Sequence, residues 1–213
     1  TVLGHMHNAV STEHMLDELG TTVERLAIGF LIATAIGILL GVFMGSVRAI
    51  YRMLEPLTEL LRPIPVSALL PVAILFFGIG AQMKIVMVIY ASLWPILLNT
   101  YTGVRNVDRT QLDTGRTFGL SSIKILAFIR MPAAAPYIPK GIRISLATSL
   151  VVEVVAEMLA GDDGIGYYIL NEQRTFHVPE MYDGIIVLAV LGYLLNLLFV
   201  VAEHRIVFWA GQT

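Results

Sequence analysis

Apolar residues in this chain gather in long blocks, not in the short alternating or amphipathic patterns of a soluble domain. Three windows without a charged residue, 26–47, 63–83 and 85–104, reach the ~20 residues that a helix needs to cross hydrocarbon. Two further blocks carry only isolated polar groups. Window 144–161 is interrupted by Glu153 and Glu157, and window 184–202 has Asn196 as its one strongly polar residue. The pattern predicts five helical spans, hence an all-α integral membrane protein. Arg62-Pro63-Ile64-Pro65 and Pro71 predict an irregular start and a kink in the second span, and Pro95 predicts a kink in the third. Phe77-Gly78-Ile79-Gly80 reads as a turn, and Glu55, Glu59 and Arg62 suit a short interfacial helix.

Within 26–47, Gly29, Ala33, Gly37, Gly41 and Gly45 recur at every fourth position. Such a ribbon of small residues lets another helix approach closely, either inside the subunit or across a dimer. No repeat or flexible linker divides the chain, so residues 1–213 are expected to form one membrane domain.

Composition agrees: 56% of residues are hydrophobic, 14% are charged, and the mean hydropathy is +0.77. The absence of cysteine excludes disulfides and thiolate metal sites, and a net charge of -2 argues against nucleic acid as a partner. His5, His7 and His14 with Glu13 are better explained as a solvated terminal segment than as a metal site, so no metal is expected.

The cationic residues are unevenly distributed. Arg48, Arg52 and Arg62 follow the first span, and Arg105, Arg109, Arg116, Lys124, Arg130 and Lys140 follow the third, so both loops are expected in the cytoplasm. Segment 1–22 lacks Lys and Arg, and loop 162–183 has only Arg174 against five acids, so both are expected outside. Arg205 suits a cytoplasmic C-terminus. Five spans with that end inside place Thr1 outside; no signal peptide is visible, and a further helix upstream, giving six, is the favoured account.

Segment 105–140 is too long for a helical hairpin and too apolar to be left unfolded. Its residues predict a helix over 107–118, a left-handed cap at Gly119, capping by Ser121 or Ser122, a second helix over 123–131 and a stop at Pro132. Asp113-Thr114-Gly115, three residues, Gly119, nine residues, then Ile129-Arg130-Met131-Pro132 resembles the E-A-A, G, I-x-L-P loop of the permease subunits of bacterial ATP-binding cassette (ABC) importers. The departures are Asp for Glu, Thr-Gly for Ala-Ala and Met for Leu. Arg62-Pro63-Ile64-Pro65, Phe77-Gly78-Ile79-Gly80 before Lys84, and Ala156-Glu157-Met158-Leu159 followed by Gly164-Ile165-Gly166-Tyr167 are similar to the nitrate, taurine and alkanesulfonate branch, which also includes bicarbonate and thiamine-precursor importers.

That resemblance implies a type I ABC importer transmembrane domain acting as a homodimer. It also implies two cytoplasmic ATP-binding subunits, an external substrate-binding protein and a place in the bacterial inner membrane. Asp113, Thr114, Gly115, Arg116, Gly119, Leu120 and Pro132 would couple to the ATPase. ATP and Mg would belong to that partner, because no G-x-x-x-x-G-K-[ST] loop occurs in this chain, which would bind no cofactor and catalyse no reaction itself.

Glu153 and Glu157 lie four apart on one helical face and need a reason to sit in a membrane. Glu157, with Gly164, Gly166 and Tyr167, is expected to be structural or part of an outer gate. Glu153, Asn99, Ser149 and Asn196 are candidates for the substrate path, each with helix-to-helix bonding as the competing role. Lys84 and Arg143 are candidate partners of the two acids. An ionised Glu153 in the path would repel an anion, which favours a neutral or cationic solute. An ion-coupled secondary transporter would need an internal repeat, and an intramembrane enzyme would need a nucleophile beside a base; neither is visible.

Overall fold

The structure, a computed structural model, describes the backbone of residues 2–206 and the side chains of residues 14–205, His204 excepted. His5, His7 and Glu13 therefore lie outside the described side chains. Helices account for nearly all of it, with no strand among the described residues. Among the described residues, three helices are long and apolar enough to cross a membrane: α1 (Val2–Ser46) over His14–Ser46, α4 (Ala81–Arg105), and α10 (Val178–Ile206) over Val178–Glu203. Counting α2 (Arg48–Leu61) with α3 (Val66–Phe77), and α8 (Ile138–Ala160) with α9 (Ile165–Arg174), as broken spans brings the number to five.

The second expected span is not one helix. Chain 62–65 turns, as its two prolines demand, and α3 then runs for 12 residues before Gly78 leaves the helix at φ 72°. Twelve residues cover only about 18 Å, well short of the ~30 Å hydrocarbon core. α4, by contrast, continues through Pro95. The first helix extends far upstream of position 26, where Asp17, Glu18, Glu24 and Arg25 disguise it in the sequence; Met15, Glu18 and Thr22 are buried.

Two compact units divide the chain: Thr1–Leu31, Pro65–Ala91 and Ala147–Asn196 form the first, and Ile32–Ile64, Ser92–Leu146 and Leu197–Thr213 the second. The first unit contains two apolar cores. Met15, Val154, Ile165, Tyr168 and Ile169 build one, while Leu70, Ala73, Met83, Met87 and Ala156 build the other.

In both units the small-residue ribbon of α1 lies on α4. A side chain at Gly29 would meet Val88 Cγ1 at 2.7 Å in the first unit. In the second, one at Gly37 would meet Ile96 Cγ2 at 2.9 Å, one at Gly41 the Leu97 carbonyl at 2.7 Å, and one at Gly45 Val104 Cβ at 2.7 Å. Ala33 is completely buried. The ribbon thus packs inside the subunit. α8 approaches α4 in the same way: a side chain at Gly141 would meet the Pro95 carbonyl at 2.8 Å, and Ser145 donates to the Ser92 carbonyl.

Gly41→Leu must push against the α4 backbone and should destabilise the protein by about 2–3 kcal/mol. Gly20, also in α1, faces open space, with nothing within 4 Å of where a methyl group would sit. Gly20→Ala should therefore be neutral or stabilising by up to ~1 kcal/mol through helix propensity. Melting of the detergent-solubilised variants, followed by circular dichroism, checks both signs.

Candidate functional site

The loop that carries the sequence pattern lies wholly in the second unit. Its first helix, α5 (Arg109–Thr117), begins at Asp108, whose carboxylate accepts from the Thr110 N–H at 2.9 Å. It ends in a Schellman turn: Leu120 N–H donates to the Gly115 carbonyl at 3.0 Å and Gly119 N–H to the Arg116 carbonyl at 2.9 Å. Gly119 adopts φ 72°, the left-handed geometry expected of it. Ser121 then caps α6 (Ser122–Ile125), its hydroxyl accepting from the Lys124 N–H at 3.5 Å.

Pro132 does not end the helical run. The chain passes from α6 through a π-turn at Leu126–Arg130 into α7 (Met131–Ala134). Pro132 is the second residue of α7, directly after the π-turn.

Gly115 is buried: a methyl there would approach Ile129 Cδ1 at 2.6 Å, with Leu120 and Ile125 next nearest. Its bare α-carbon serves the packing of the loop itself. Asp113 and Arg116 are exposed and pair with each other at 2.9 Å, which is worth only about 0.3–0.5 kcal/mol at a surface. Thr114 is exposed and donates to the Thr110 carbonyl at 2.7 Å. A cavity of about 620 Å³ opens between the two limbs, with Thr110, Thr114, Gly115, Phe118, Phe128 and Pro132 among its walls. Phe118, Ile123 and Phe128 are 80%, 78% and 71% exposed.

The first unit holds the buried acids. Glu157 is fully buried, accepting from the Thr22 hydroxyl at 2.7 Å and from the Gly166 N–H at 2.9 Å. The Thr22 hydroxyl in turn accepts from the Ile165 N–H at 2.9 Å, and the Glu18 carboxylate accepts from the Gly164 N–H. Side chains from α1 and α8 therefore satisfy the leading N–H groups of α9 in place of a local cap. Gly164 has φ 101°, and any side chain there would collide with the Glu157 carboxylate. Tyr167 is half-buried, while its neighbour Tyr168 enters the core.

Beside this network, Arg25 forks onto Asp163, with Nη1 to Oδ1 at 2.7 Å, and the fully buried Lys84 donates to the Asp163 carbonyl at 3.0 Å and to its carboxylate. Asp163, not either glutamate, is the salt-bridge partner of Lys84 at close range; Asp162 lies farther off at 3.9 Å. Neither Asp163 nor Arg25 stands out by sequence pattern as a site residue. Glu153 is fully buried, and neither carboxylate oxygen has a hydrogen-bond partner among the described residues.

Ser149 is buried one turn from Glu153 on α8, Asn196 is exposed on α10, and Asn99, in the second unit, donates to the Pro95 carbonyl of its own helix at 2.8 Å. No group of three metal-ligating acids, histidines or cysteines occurs among the described residues.

The chain matches the family of binding-protein-dependent transport system inner membrane components over residues 33–207. It is a member of that family. The nitrate import permease protein of Leptolyngbya laminosa is 31% identical over 89% of this chain and 68% of its own. The taurine transport system permease protein of Escherichia coli is 29% identical over 91% of this chain and 70% of its own. Among solved structures, an inward-facing form of the MetNI methionine ABC transporter is similar with a TM-score of 0.78 at 18% identity, covering 90% of this chain and 95% of that one. The fold is thus that of a type I ABC importer transmembrane domain, and the protein is an ABC transporter permease of the inner membrane.

In this permease, Asp163→Ala leaves Lys84 buried beside a lost carboxylate and should cost about 3 kcal/mol. Adding Lys84→Met should return ~1 kcal/mol or more, because the two groups are coupled. A double-mutant cycle on chemical denaturation midpoints measures this, and strict additivity would contradict the pairing.

Proposed function

We propose that this permease is the membrane-spanning part of an ATP-driven importer that moves a small polar solute inward. Two copies work with two cytoplasmic ATPase subunits and an external substrate-binding protein. The observation that carries the reading is the capped α5, Schellman turn and α6 unit, which turns large apolar side chains outward around an open cavity. Three exposed aromatic or branched side chains in one short segment suit a protein joint better than water.

In this reading Thr114 and the Asp113–Arg116 pair meet the ATPase, with Phe118 entering its surface. Gly115, Gly119, Leu120 and Pro132 hold the shape of the joint. ATP binding in the partners draws the two loops together and switches access; hydrolysis resets them. Nucleotide and Mg stay with the ATPase. Segment 105–140 and the C-terminus face the cytoplasm, consistent with the arginines between the spans.

The substrate belongs to the sulfonate, nitrate, bicarbonate or thiamine-precursor class. The nitrate and taurine named for the relatives support this class. Glu153 and Ser149 then serve helix packing, Glu157, Gly164, Gly166 and Tyr167 fix the outer turn, and Asn99 and Asn196 are the polar groups left for the path.

Co-purification of an ATPase with tagged permease, together with uptake by reconstituted vesicles, tests the proposal. Gly115→Ala should keep at least half of uptake, since Ile129 can rotate away. Gly115→Trp should lower uptake more than tenfold. Full uptake by Gly115→Trp, or purification without any ATPase, would contradict the coupling role.

A further inference from the structure

Five arginines line one cavity of about 580 Å³ in the second unit: Arg48, Arg52, Arg105, Arg109 and Arg130, with Glu55 as the single acid. None of the five forms an ion pair among the described residues. Glu55 is already engaged by the Tyr51 hydroxyl. Five guanidiniums around one cavity repel one another, and that repulsion is relieved by an anion between them.

Two of the arginines are held in place. Arg105 lies 4.5 Å over the Tyr51 ring and 5.5 Å from the Tyr101 ring, themselves stacked at 5.2 Å. Arg130 Nη1 donates to the Gly45 carbonyl at 3.0 Å. Arg48, Arg52 and Arg109 are exposed beside them. The wall also contains the Ser46 hydroxyl, buried and without a hydrogen-bond partner among the described residues. Next to it α2 begins at Arg48, with Val47 as an N-cap that offers no side-chain hydrogen bond and no acid in the first turn, so its leading N–H groups add positive potential.

We infer that this cavity binds a phosphate group. Guanidinium forks match the paired oxygens of a tetrahedral oxyanion, and the Ser46 hydroxyl adds a neutral donor. The group is carried either by the head of an anionic phospholipid or by a soluble phosphate, and the chemistry of recognition is the same. The site is separate from the loop cavity assigned to ATPase docking and does not depend on that assignment.

The test uses the purified permease complex in detergent. One arm compares retention of phosphatidylglycerol and phosphatidylcholine by native mass spectrometry; the other titrates inorganic phosphate calorimetrically at low ionic strength. Preferential retention of phosphatidylglycerol identifies the lipid, and saturable phosphate binding identifies a soluble ligand. In either case the triple variant R48Q/R52Q/R109Q should weaken binding at least tenfold. A control with three cations removed elsewhere, R62Q/K124Q/K140Q, should change it less than twofold. If the triple variant does not fold, R52Q alone should weaken binding at least threefold.

Absence of binding in both arms overturns the inference, as does equal weakening by the control, which would make the effect one of bulk charge. Release of the ATPase by R48Q/R52Q/R109Q with probe binding unchanged would also overturn it, making the cavity a protein contact.

Discussion

Backbone proximity between α1 and α4 is the constraint on which the two units rest. Lipid tails are as apolar as leucine, so helices in a bilayer gain little from burying apolar side chains against one another. Dispersion and weak polar contacts must supply the association, and both fall off steeply with distance. The glycines of α1 remove the atoms that would hold the helices apart, and Val88, Ile96, Thr100 and Val104 fill the space. β-branched side chains suit this role because their χ1 is already restricted in a helix. The same logic places Gly103 against Ala134 and Tyr137, and Gly141 against Pro95.

Polar groups inside the first unit follow a second logic. Glu18, Lys84 and Glu157 each have a partner, whereas the Glu153 carboxylate has no hydrogen bond among the described residues. Glu157 replaces the cap that the sequence around Gly164 cannot provide, and Asp163 receives both Arg25 and Lys84. Removing water makes each of these contacts stronger and each unmet group more costly. Contacts of this kind fix one geometry for the turn between α8 and α9, because few alternatives would satisfy all the donors together.

The sequence revealed the membrane character, the block pattern and the loop architecture, because hydropathy, glycine caps and serine caps are local signals. Gly119 needs a left-handed conformation whatever lies around it, and the ribbon from Gly29 to Gly45 is periodic by itself. The helix expected over 107–118 begins two residues later, at Arg109, where the Asp108 side chain caps it. The burial of Met15 and Glu18, the assignment of Lys84 to Asp163 and the passage of helix through Pro132 were not legible. They depend on segments far apart in sequence or on a π-turn that no residue preference announces.

Position 115 shows how a departure from a family pattern is absorbed. The terminal methyl of Ile129 occupies the volume that an alanine methyl would fill one helix away. With no β-carbon at 115, the Ile129 side chain lies directly against the α5 backbone, and the two limbs of the loop close on each other by about the width of a methyl group.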